Sequence, residues 1–202
     1  MGKSKTSRRL DSVCVYCGSS NGADPGYLRA AADFGAILAD EGLRLVYGGG
    51  GVGLMGACAR GAHDAGGRVL GVIPEFLTSH ERPLATVETI VVQSMHERKM
   101  LMYEQSDAFA ILPGAIGTLE EVIELLSWRR LGLHAKPIVF YNPDGFWNSL
   151  FDLFHQIIDR NLLPPEFAET WGAVTEIEAL LPALRKMPTL AFTSLPGVEQ
   201  LI

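Results

Sequence analysis

The chain alternates short apolar runs with longer segments of helical periodicity, and this alternation constrains its fold more than any other feature. Runs rich in Val, Ile and Leu predict strands at 12–17, 44–47, 68–73, 108–112 and 136–141, with weaker ones at 88–92 and 171–174. Helices are expected between them at 27–41, 55–65, 95–105, 119–131, 145–161 and 177–186. Strands that alternate with helices are typical of βαβ units and a parallel sheet. The sequence therefore predicts an open α/β fold.

The length and composition predict one folded domain with short tails. At 202 residues the chain fits a single domain, and 48% hydrophobic against 20% charged residues excludes intrinsic disorder. Residues 1–11 are predicted to form a disordered basic tail, because four Lys or Arg side chains occur there without an apolar segment. We expect the folded domain to span 12–186 and a C-terminal tail to follow at 187–202.

The charge and the cysteine count restrict partners and location. A formal net charge of −6 and an isoelectric point near 5.4 argue against a nucleic-acid partner and against binding to anionic membranes. No apolar run approaches the ~20 residues that cross a bilayer. Three cysteines cannot form a closed set of disulfides, which favours a reducing compartment. We expect a soluble, cytoplasmic protein with no membrane partner.

The sequence offers no recognisable metal or redox site. Cys14 and Cys17 have C-x-x-C spacing but fall within a predicted strand, where residues three apart point to opposite faces of the sheet. They can therefore neither chelate one metal nor form a disulfide without rearrangement. The five histidines are scattered without the spacing of metal ligands. We predict no metal and no cofactor.

Loops of small residues follow three of the predicted strands. In an open α/β sheet, ligands bind at the carboxyl ends of the strands, so these loops should meet at one edge. We interpret them as a site for a phosphorylated ligand. Their candidate binding residues are Gly18, Ser19, Ser20, Gly48, Gly49, Gly50, Gly114, Ala115, Ile116, Gly117 and Thr118.

The second of these loops contains the pattern G-x-G-x-x-G at 51–56. This pattern occurs in dinucleotide-binding proteins, but there it follows the first strand of the fold. Here it follows the second strand, and Gly48, Gly49 and Gly50 lengthen the loop. The pattern favours a glycine-lined nucleotide pocket, and a dinucleotide site and plain packing of helix on sheet remain as alternatives.

The third loop, PGAIGT at 113–118, leads directly into the helix that begins with LEE. Free N–H groups and the positive end of the helix dipole form an anion site at such a turn. The lysine of a phosphate-transferring loop does not follow the second glycine, so we predict that the turn anchors a phosphate without transferring it. Thr118 and Glu121 also have the spacing of a capping box, which is the alternative reading of Glu121.

The segment SMHERKM at 94–100 predicts a helix with two cations on one side. Ser94 and Glu97 have the spacing of a capping box. Arg98 and Lys99 fall on the same side of the helix as Met95 and Met102. One interpretation is snorkelling, in which long stems cover apolar surface while the charged ends reach water. The other is a cationic patch that faces a phosphate or a carboxylate.

These segments together resemble the signatures of the Lonely Guy (LOG) family of cytokinin riboside 5′-monophosphate phosphoribohydrolases, often mislabelled lysine decarboxylases. The stretch 113–121 is similar to the family's PGGxGTxxE motif, and 94–100 to its second block. VYCGSS at 15–20, VYGGGGVGLMG at 46–56 and GVIP at 71–74 are similar to further landmarks. The resemblance runs in order from about residue 13 to residue 158.

The resemblance implies a Rossmann-like fold, with a doubly wound, mostly parallel sheet and helices on both faces. It implies hydrolysis of the N-glycosidic bond of a nucleoside 5′-monophosphate to free base and ribose 5-phosphate. Arg98 and Glu121 match the family's essential pair, and the turn at 113–118 matches its phosphate site. Lys99, Ser127 and Glu81 match ligand contacts. Members are homodimers or larger, with sites near the subunit interface.

The chemistry of such a reaction also follows from elementary considerations. A base that leaves C1′ produces an oxocarbenium-like centre, which a nearby carboxylate can stabilise while it activates water. Glu121 is the candidate carboxylate and Glu120 the alternative. Arg98 could orient that carboxylate or hold the substrate. We expect a purine riboside 5′-monophosphate, of the adenine or cytokinin type, as the substrate.

Two alternatives to this activity stay open. Ala115 occupies the second glycine of the family motif, and a Cβ there is costly if the position needs φ > 0 or touches the phosphate. The chain would then be a nucleotide-binding module with weak or no turnover. A lysine decarboxylase would need pyridoxal phosphate on a buried lysine, and none of the five lysines lies in a recognisable cofactor motif.

Overall fold

A computed structural model describes residues 9–188, which form one parallel sheet with helices on both faces. Within these residues the seven strands pair in the order β4-β3-β2-β1-β5-β6-β7, and all six pairs are parallel. The strands are β1 Ser12–Tyr16, β2 Arg44–Tyr47, β3 Val69–Pro74, β4 Glu88–Val92, β5 Ala108–Ile111, β6 Ile138–Tyr141 and β7 Gly172–Val174. The predicted fold class is confirmed. The predicted tails lie outside the described residues at 1–8 and 189–202.

The helices divide between the two faces of the sheet. They are α1 Pro25–Asp40, α2 Gly53–Asp64, α3 Thr78–Glu81, α4 Met95–Glu104, α5 Ile116–Arg130, α6 Asn148–Asp159 and α7 Leu180–Lys186. One core holds buried residues of α1, α2 and α7, and the other holds those of α4, α5 and α6. Along β1 the side chains alternate between these cores, because successive residues of a strand point to opposite faces. No helix among the described residues is long and apolar enough to span a membrane.

The strand order reverses at β1, which places a crevice beyond the carboxyl ends of β1 and β5. The chain runs outward from β1 to β4 on one side and then crosses to β5 on the other. Ligands of open α/β sheets bind at such a switch point. The prediction for the C-x-x-C pair is confirmed, since Cys14 lies in one core and Cys17 in the other.

The predicted boundaries were wrong mainly at helix starts. The first helix begins at Pro25, because the Asp24 side chain accepts a hydrogen bond from the Gly26 N–H at 2.6 Å and proline fits the first helical turn. Helix α5 begins at Ile116, three residues before the predicted start. The segment before Asn148 forms a separate 3₁₀ turn. Helix α3 was missed, because its four residues are too few to show helical periodicity.

Candidate active site

A cavity of about 100 Å³ lies at the carboxyl ends of β1 and β5, at the predicted edge of the sheet. It brings together nine residues that the sequence singled out, drawn from three loops and three helices. These are Gly18, Ser19, Gly48, Glu81, Arg98, Ala115, Gly117, Thr118 and Glu121. The same wall contains Tyr16 and Met55, which lie within the quoted stretches 15–20 and 46–56 but were not proposed as site residues. The signal that could have identified them is their position, at the carboxyl end of β1 and in the first turn of α2.

Backbone hydrogen bonds join the loops around the cavity. The Gly18 N–H donates to the Pro113 carbonyl at 3.0 Å, which ties the loop after β1 to the loop after β5. The Gly18 carbonyl accepts from the N–H groups of Leu54 and Met55, at 2.9 and 3.2 Å. These two N–H groups in the first turn of α2 are therefore bonded within the protein and are not free to bind a phosphate.

The glycines of the second loop mainly allow close packing. Gly49 has φ +79, a conformation that L-residues other than glycine rarely adopt, and a Cβ there would lie 2.8 Å from Ile73. Gly49 and Gly50 are buried and do not line the cavity, so the prediction that they contact the ligand has no support in the geometry. Gly53, in the G-x-G-x-x-G pattern, has φ +58 and packs against Ser19. These glycines therefore permit the packing of α2, and the prediction that the loop lines a nucleotide pocket stays a prediction.

The first turn of α5, by contrast, is open. Ala115 precedes this helix in an extended conformation and makes no side-chain cap, while Ile116 and Gly117 are exposed. The first N–H groups of a helix have no partner within it, so this turn presents donors and a positive dipole end at the cavity. A Cβ at Gly114 would lie 2.2 Å from the Thr118 hydroxyl, so only glycine lets that side chain fold over the loop.

Two of the possibilities raised for this turn do not hold. Thr118 is the third residue of α5 and does not precede the helix, so it forms no capping box with Glu121. Ala115 has φ −101 and ψ −157, a backbone conformation that any L-residue adopts. The expected backbone cost of alanine at this position therefore does not arise. Its side chain still lies in the cavity wall.

Arg98 reaches the cavity from α4. The helix starts as predicted, with the Ser94 hydroxyl accepting from the Glu97 N–H at 3.1 Å. The Arg98 side chain is buried, so the snorkelling interpretation fails for it. Its Nη2 donates to the Gly48 carbonyl at 3.0 Å and its Nη1 to the Met95 sulfur at 3.8 Å. Its Nε has no hydrogen-bond partner among the described residues.

Lys99 turns away from the cavity although it follows Arg98 directly. Its Nζ donates to Glu120 at 2.5 Å and lies 2.9 Å from a carboxylate oxygen of Glu124. Burial alone would lower the pKa of Lys99, but the hydrogen bonds and charges of these two carboxylates raise it overall. Lys99 and Glu120 do not line the cavity. The geometry gives them a role in pairing α4 with α5.

Glu121 is the buried carboxylate of the site. Its side chain belongs to α5, and only 8% of the residue is exposed. Burial raises the pKa of Glu121 to about 7, although the nearby Arg98 charge lowers it. The charges of Glu120 and Glu81 add to the increase. A carboxylate with a pKa so close to neutrality is suited to accept and return a proton.

Glu81 contributes a second carboxylate from α3. Its Oε2 atom is buried and has no hydrogen-bond partner among the described residues. Burial raises the pKa of Glu81, and the Arg98 charge opposes this increase. The backbone fixes the position of this short helix, because the Glu81 carbonyl accepts from the Gly51 N–H at 2.7 Å. A buried oxygen without a donor is available to a ligand.

Three further candidates lie outside the cavity. Ser20 is exposed in the loop after β1, Ile116 is exposed at the start of α5, and Ser127 is exposed further along α5. None of them lines the cavity wall. Their predicted contact with a ligand stays a prediction.

The fold and the cavity define a Rossmann-type α/β protein with a site at its topological switch point. A molybdenum cofactor binding protein from Rippkaea orientalis is similar over 87% of this chain and 96% of its own, with a TM-score of 0.63 and 27% identity. The molybdenum cofactor carrier protein of Chlamydomonas reinhardtii has a TM-score of 0.68 at 20% identity over 89% of this chain and 98% of its own. The latter similarity concerns the fold alone.

Sequence comparison identifies the family. The profile of a family described as "Possible lysine decarboxylase" matches residues 55–184. The Arabidopsis thaliana cytokinin riboside 5′-monophosphate phosphoribohydrolase LOG7 is 44% identical over 80% of this chain and 75% of its own length. The A. thaliana LOG5 protein of the same name is 45% identical over 78% of this chain and 69% of its own. The chain belongs to the LOG family.

Proposed function

We propose that the protein hydrolyses the N-glycosidic bond of a purine riboside 5′-monophosphate, of the adenine or cytokinin type. The observation that carries this proposal is that Arg98 and Glu121 face one cavity beside the open first turn of α5. The names of the relatives, which are cytokinin riboside 5′-monophosphate phosphoribohydrolases, support the same reaction. The products are the free base and ribose 5-phosphate.

The site contains groups suited to two parts of such a substrate, the 5′-phosphate and C1′. The N–H groups at the start of α5 bind the 5′-phosphate, which requires no side-chain cation. The Glu121 carboxylate stabilises the positive charge that develops at C1′ and takes a proton from the attacking water. The water oxygen bonds to C1′, the electron pair of the broken bond leaves with the base, and the base gains one proton. Arg98 supplies a fixed positive charge in the wall of the same cavity.

The alternative is a nucleotide-binding module with weak or no turnover because of Ala115. The ordinary backbone conformation of Ala115 removes the strain on which this alternative depended. A contact between the Ala115 Cβ and the phosphate is the one remaining reason to expect weak or no turnover. The hydrolase is therefore the better supported of the two functions.

A lysine decarboxylase activity has little support in the described residues. Pyridoxal phosphate needs a lysine amine that is free to form a Schiff base. Lys99 is paired with two carboxylates, and the Lys136 Nζ donates to the Tyr103 carbonyl at 2.6 Å. Neither lysine lines the cavity. We therefore do not propose the lysine decarboxylase activity that the description of the family suggests.

We also propose that the protein is a homodimer that buries one face of α5. Ile116 and Ile123 are 81% and 45% exposed on this helix, while Val122 and Leu126 pack into the core on its other side. Two exposed apolar side chains two turns apart suit an interface with a second copy. Size-exclusion chromatography with light scattering tests this point, and a monomer at micromolar concentration contradicts it.

The activity test uses the purified protein with AMP, IMP, CMP and a cytokinin riboside 5′-monophosphate, each beside its nucleoside. Chromatography of the products should detect free base from a purine nucleotide and much less from the matching nucleoside, because phosphate binding energy contributes to catalysis. Equal turnover of nucleotide and nucleoside contradicts the role of the α5 turn. Nucleotide binding without any base release supports the binding module.

A further inference from the structure

We propose that Met95 is a positioning residue, whose thioether sulfur holds the Arg98 guanidinium in the cavity wall together with the Gly48 carbonyl. The inference rests on the proposed function, because it concerns how the cation of that site is fixed. It assigns a chemical role to a methionine that sequence patterning treats as an apolar residue.

The contacts of Arg98 restrict its guanidinium from two sides. Nη2 donates to the Gly48 carbonyl at 3.0 Å, and Nη1 contacts the Met95 sulfur at 3.8 Å. Met95 lies three residues before Arg98 on α4, and residues at this spacing are neighbours on a helix surface. Gly48 belongs to the loop after β2. Because the acceptors come from different elements and bind different nitrogens, they limit both rotation and displacement of the group.

The residue at position 48 is adapted to this arrangement. A Cβ at Gly48 would lie 2.1 Å from Arg98 Nη2, so glycine is required for the guanidinium to rest on this carbonyl. The same Cβ would lie 3.0 Å from the Met55 sulfur. The loop at Gly48 and the Met55 side chain therefore pack closely around the Arg98 guanidinium without adding a charge.

Neutral acceptors leave the charge of Arg98 available to the reaction. A carboxylate in the place of Met95 would form an ion pair with the buried guanidinium and cancel its effect on neighbouring groups. A thioether accepts only a weak hydrogen bond and carries no charge. The two acceptors therefore do not neutralise the positive charge of Arg98, which acts on Glu121 and on the substrate.

This arrangement links Met95 to the ionisation of Glu121. The positive charge of Arg98 lowers the pKa of Glu121 and that of Glu81, the second carboxylate of the cavity, against the larger opposing effect of burial on each. Glu120 and Lys99 act on Glu121 in opposite directions, the first raising and the second lowering its pKa. If the guanidinium moves away, the lowering by Arg98 weakens and the pKa of Glu121 rises. The acid limb of the pH profile for kcat/KM then shifts to higher pH, whereas a change in packing that leaves the burial of Glu121 unaltered would not shift it.

The test compares Met95→Leu, Met95→Gln and Met100→Leu with the parent, using AMP as substrate and assaying released adenine over a range of pH. Leucine removes the sulfur acceptor, whereas the glutamine side chain offers an amide oxygen at a similar reach. Met100 lies on the same helix but does not line the cavity, so its change to leucine is the matched control.

We expect Met95→Leu to lower kcat about fivefold with little change in KM, the scale of one weak charge-assisted hydrogen bond. The acid limb of the kcat/KM profile of Met95→Leu should shift to higher pH by about half a pH unit. Met95→Gln should restore both quantities, and Met100→Leu should match the parent. If leucine lowers the melting temperature markedly, protein labelled with norleucine replaces it, because norleucine keeps the shape of methionine without the sulfur. Because norleucine replaces every methionine, including Met55 and Met102 of the cavity wall, the labelled parent is compared with labelled Met95→Gln, which should have the higher kcat and the lower acid limb of the two.

Two results overturn the inference. One is a Met95→Leu variant with parental kcat and an unshifted acid limb. The other is a loss of kcat with no shift and no rescue by glutamine, which would mean that Met95 only fills space. Both require an active parent. A parent that releases no base contradicts the proposed function instead, so the two failures are distinguishable.

Discussion

Arg98 and Glu121 face the same cavity from α4 and α5, and no ion pair joins these two described residues. Oppositely charged groups that are both buried usually pair closely, because separation leaves each with an uncompensated desolvation cost. Here uncharged acceptors, the Gly48 carbonyl and the Met95 sulfur, hold the cation. Both charged groups therefore line the cavity without a direct ion pair between them.

The first prediction concerns Glu121→Gln. An amide can neither stabilise an oxocarbenium-like centre by charge nor take a proton from water, so base release should fall by a factor of about 10² or more. Nucleotide binding, measured by calorimetry, should change little. Glu124→Gln on the same helix is the control, because Glu124 does not line the cavity. Full activity of Glu121→Gln would direct the search for the carboxylate to Glu81, which shares the cavity.

The second prediction is that the effect of Glu121→Gln on the stability of the protein depends on pH. The pKa of Glu121 rises from its ordinary value of 4.5 to about 7 on folding, because the site is buried. The folded chain then holds more protons than the unfolded chain between these values, so this group lowers stability as pH rises through them. Glu121→Gln should therefore melt higher than the parent at about pH 8 and similarly at about pH 4. Calorimetric melting curves check this, and a lower midpoint at the higher pH contradicts it.

The fold was largely predictable because its signals are local and repeated. Strands β2 and β4 were predicted at the residues where they occur, and the other strands agree to within two residues at each end. Each buried strand of a parallel sheet is a nearly continuous apolar run, so the pattern is strong. The cap at Ser94 was also a local signal and was correct, although the Glu97 carboxylate accepts from the Gln93 N–H and not from that of Ser94. The one at Thr118 had the same spacing but was wrong, because α5 had already begun at Ile116.

The functions of the glycines could not be separated from the sequence. Gly48 supports Arg98, Gly49 adopts a positive φ and packs on Ile73, and Gly50 lies near Glu81. All three are consecutive, and a run of glycine carries no information about which neighbour requires each one. The neighbours come from β3, α3 and α4, whose approach to this loop is decided by tertiary packing. The same limit explains why the adjacent Arg98 and Lys99 could not be assigned different partners.

A third prediction concerns Arg98→Ala, which should lower kcat/KM at least about tenfold by removing the fixed cation of the site. Stability should change by no more than about 1 kcal/mol, because the buried guanidinium gains one strong hydrogen bond and leaves Nε without a partner. Arg98→Met, which keeps the apolar stem, separates the loss of charge from the loss of volume. A large fall in melting temperature with retained catalysis would make Arg98 a structural residue.

A fourth prediction concerns Ala115→Gly, which restores the residue of the family motif. Since Ala115 already has an extended backbone, glycine relieves no strain and should leave the melting temperature unchanged or slightly lower. We expect nucleotide affinity and kcat to stay within about threefold of the parent. A much larger gain in affinity for nucleotide, without a gain for nucleoside, would show that the alanine Cβ meets the phosphate.

The last prediction separates two roles of Lys99. The resemblance to the family implies a ligand contact, whereas the structure pairs its Nζ with Glu120 and Glu124 outside the cavity. Lys99→Met keeps most of the stem and removes the charge, which should lower the melting temperature by a few degrees at most, because the ammonium loses its ion pairs with two partly exposed carboxylates. It should leave kcat/KM within about threefold of the parent, since a side chain outside the cavity has no contact to lose there. Glu120→Gln should show the same small effects. A large loss of kcat/KM in Lys99→Met at an unchanged melting temperature, with Glu120→Gln unaffected, would instead establish the ligand contact.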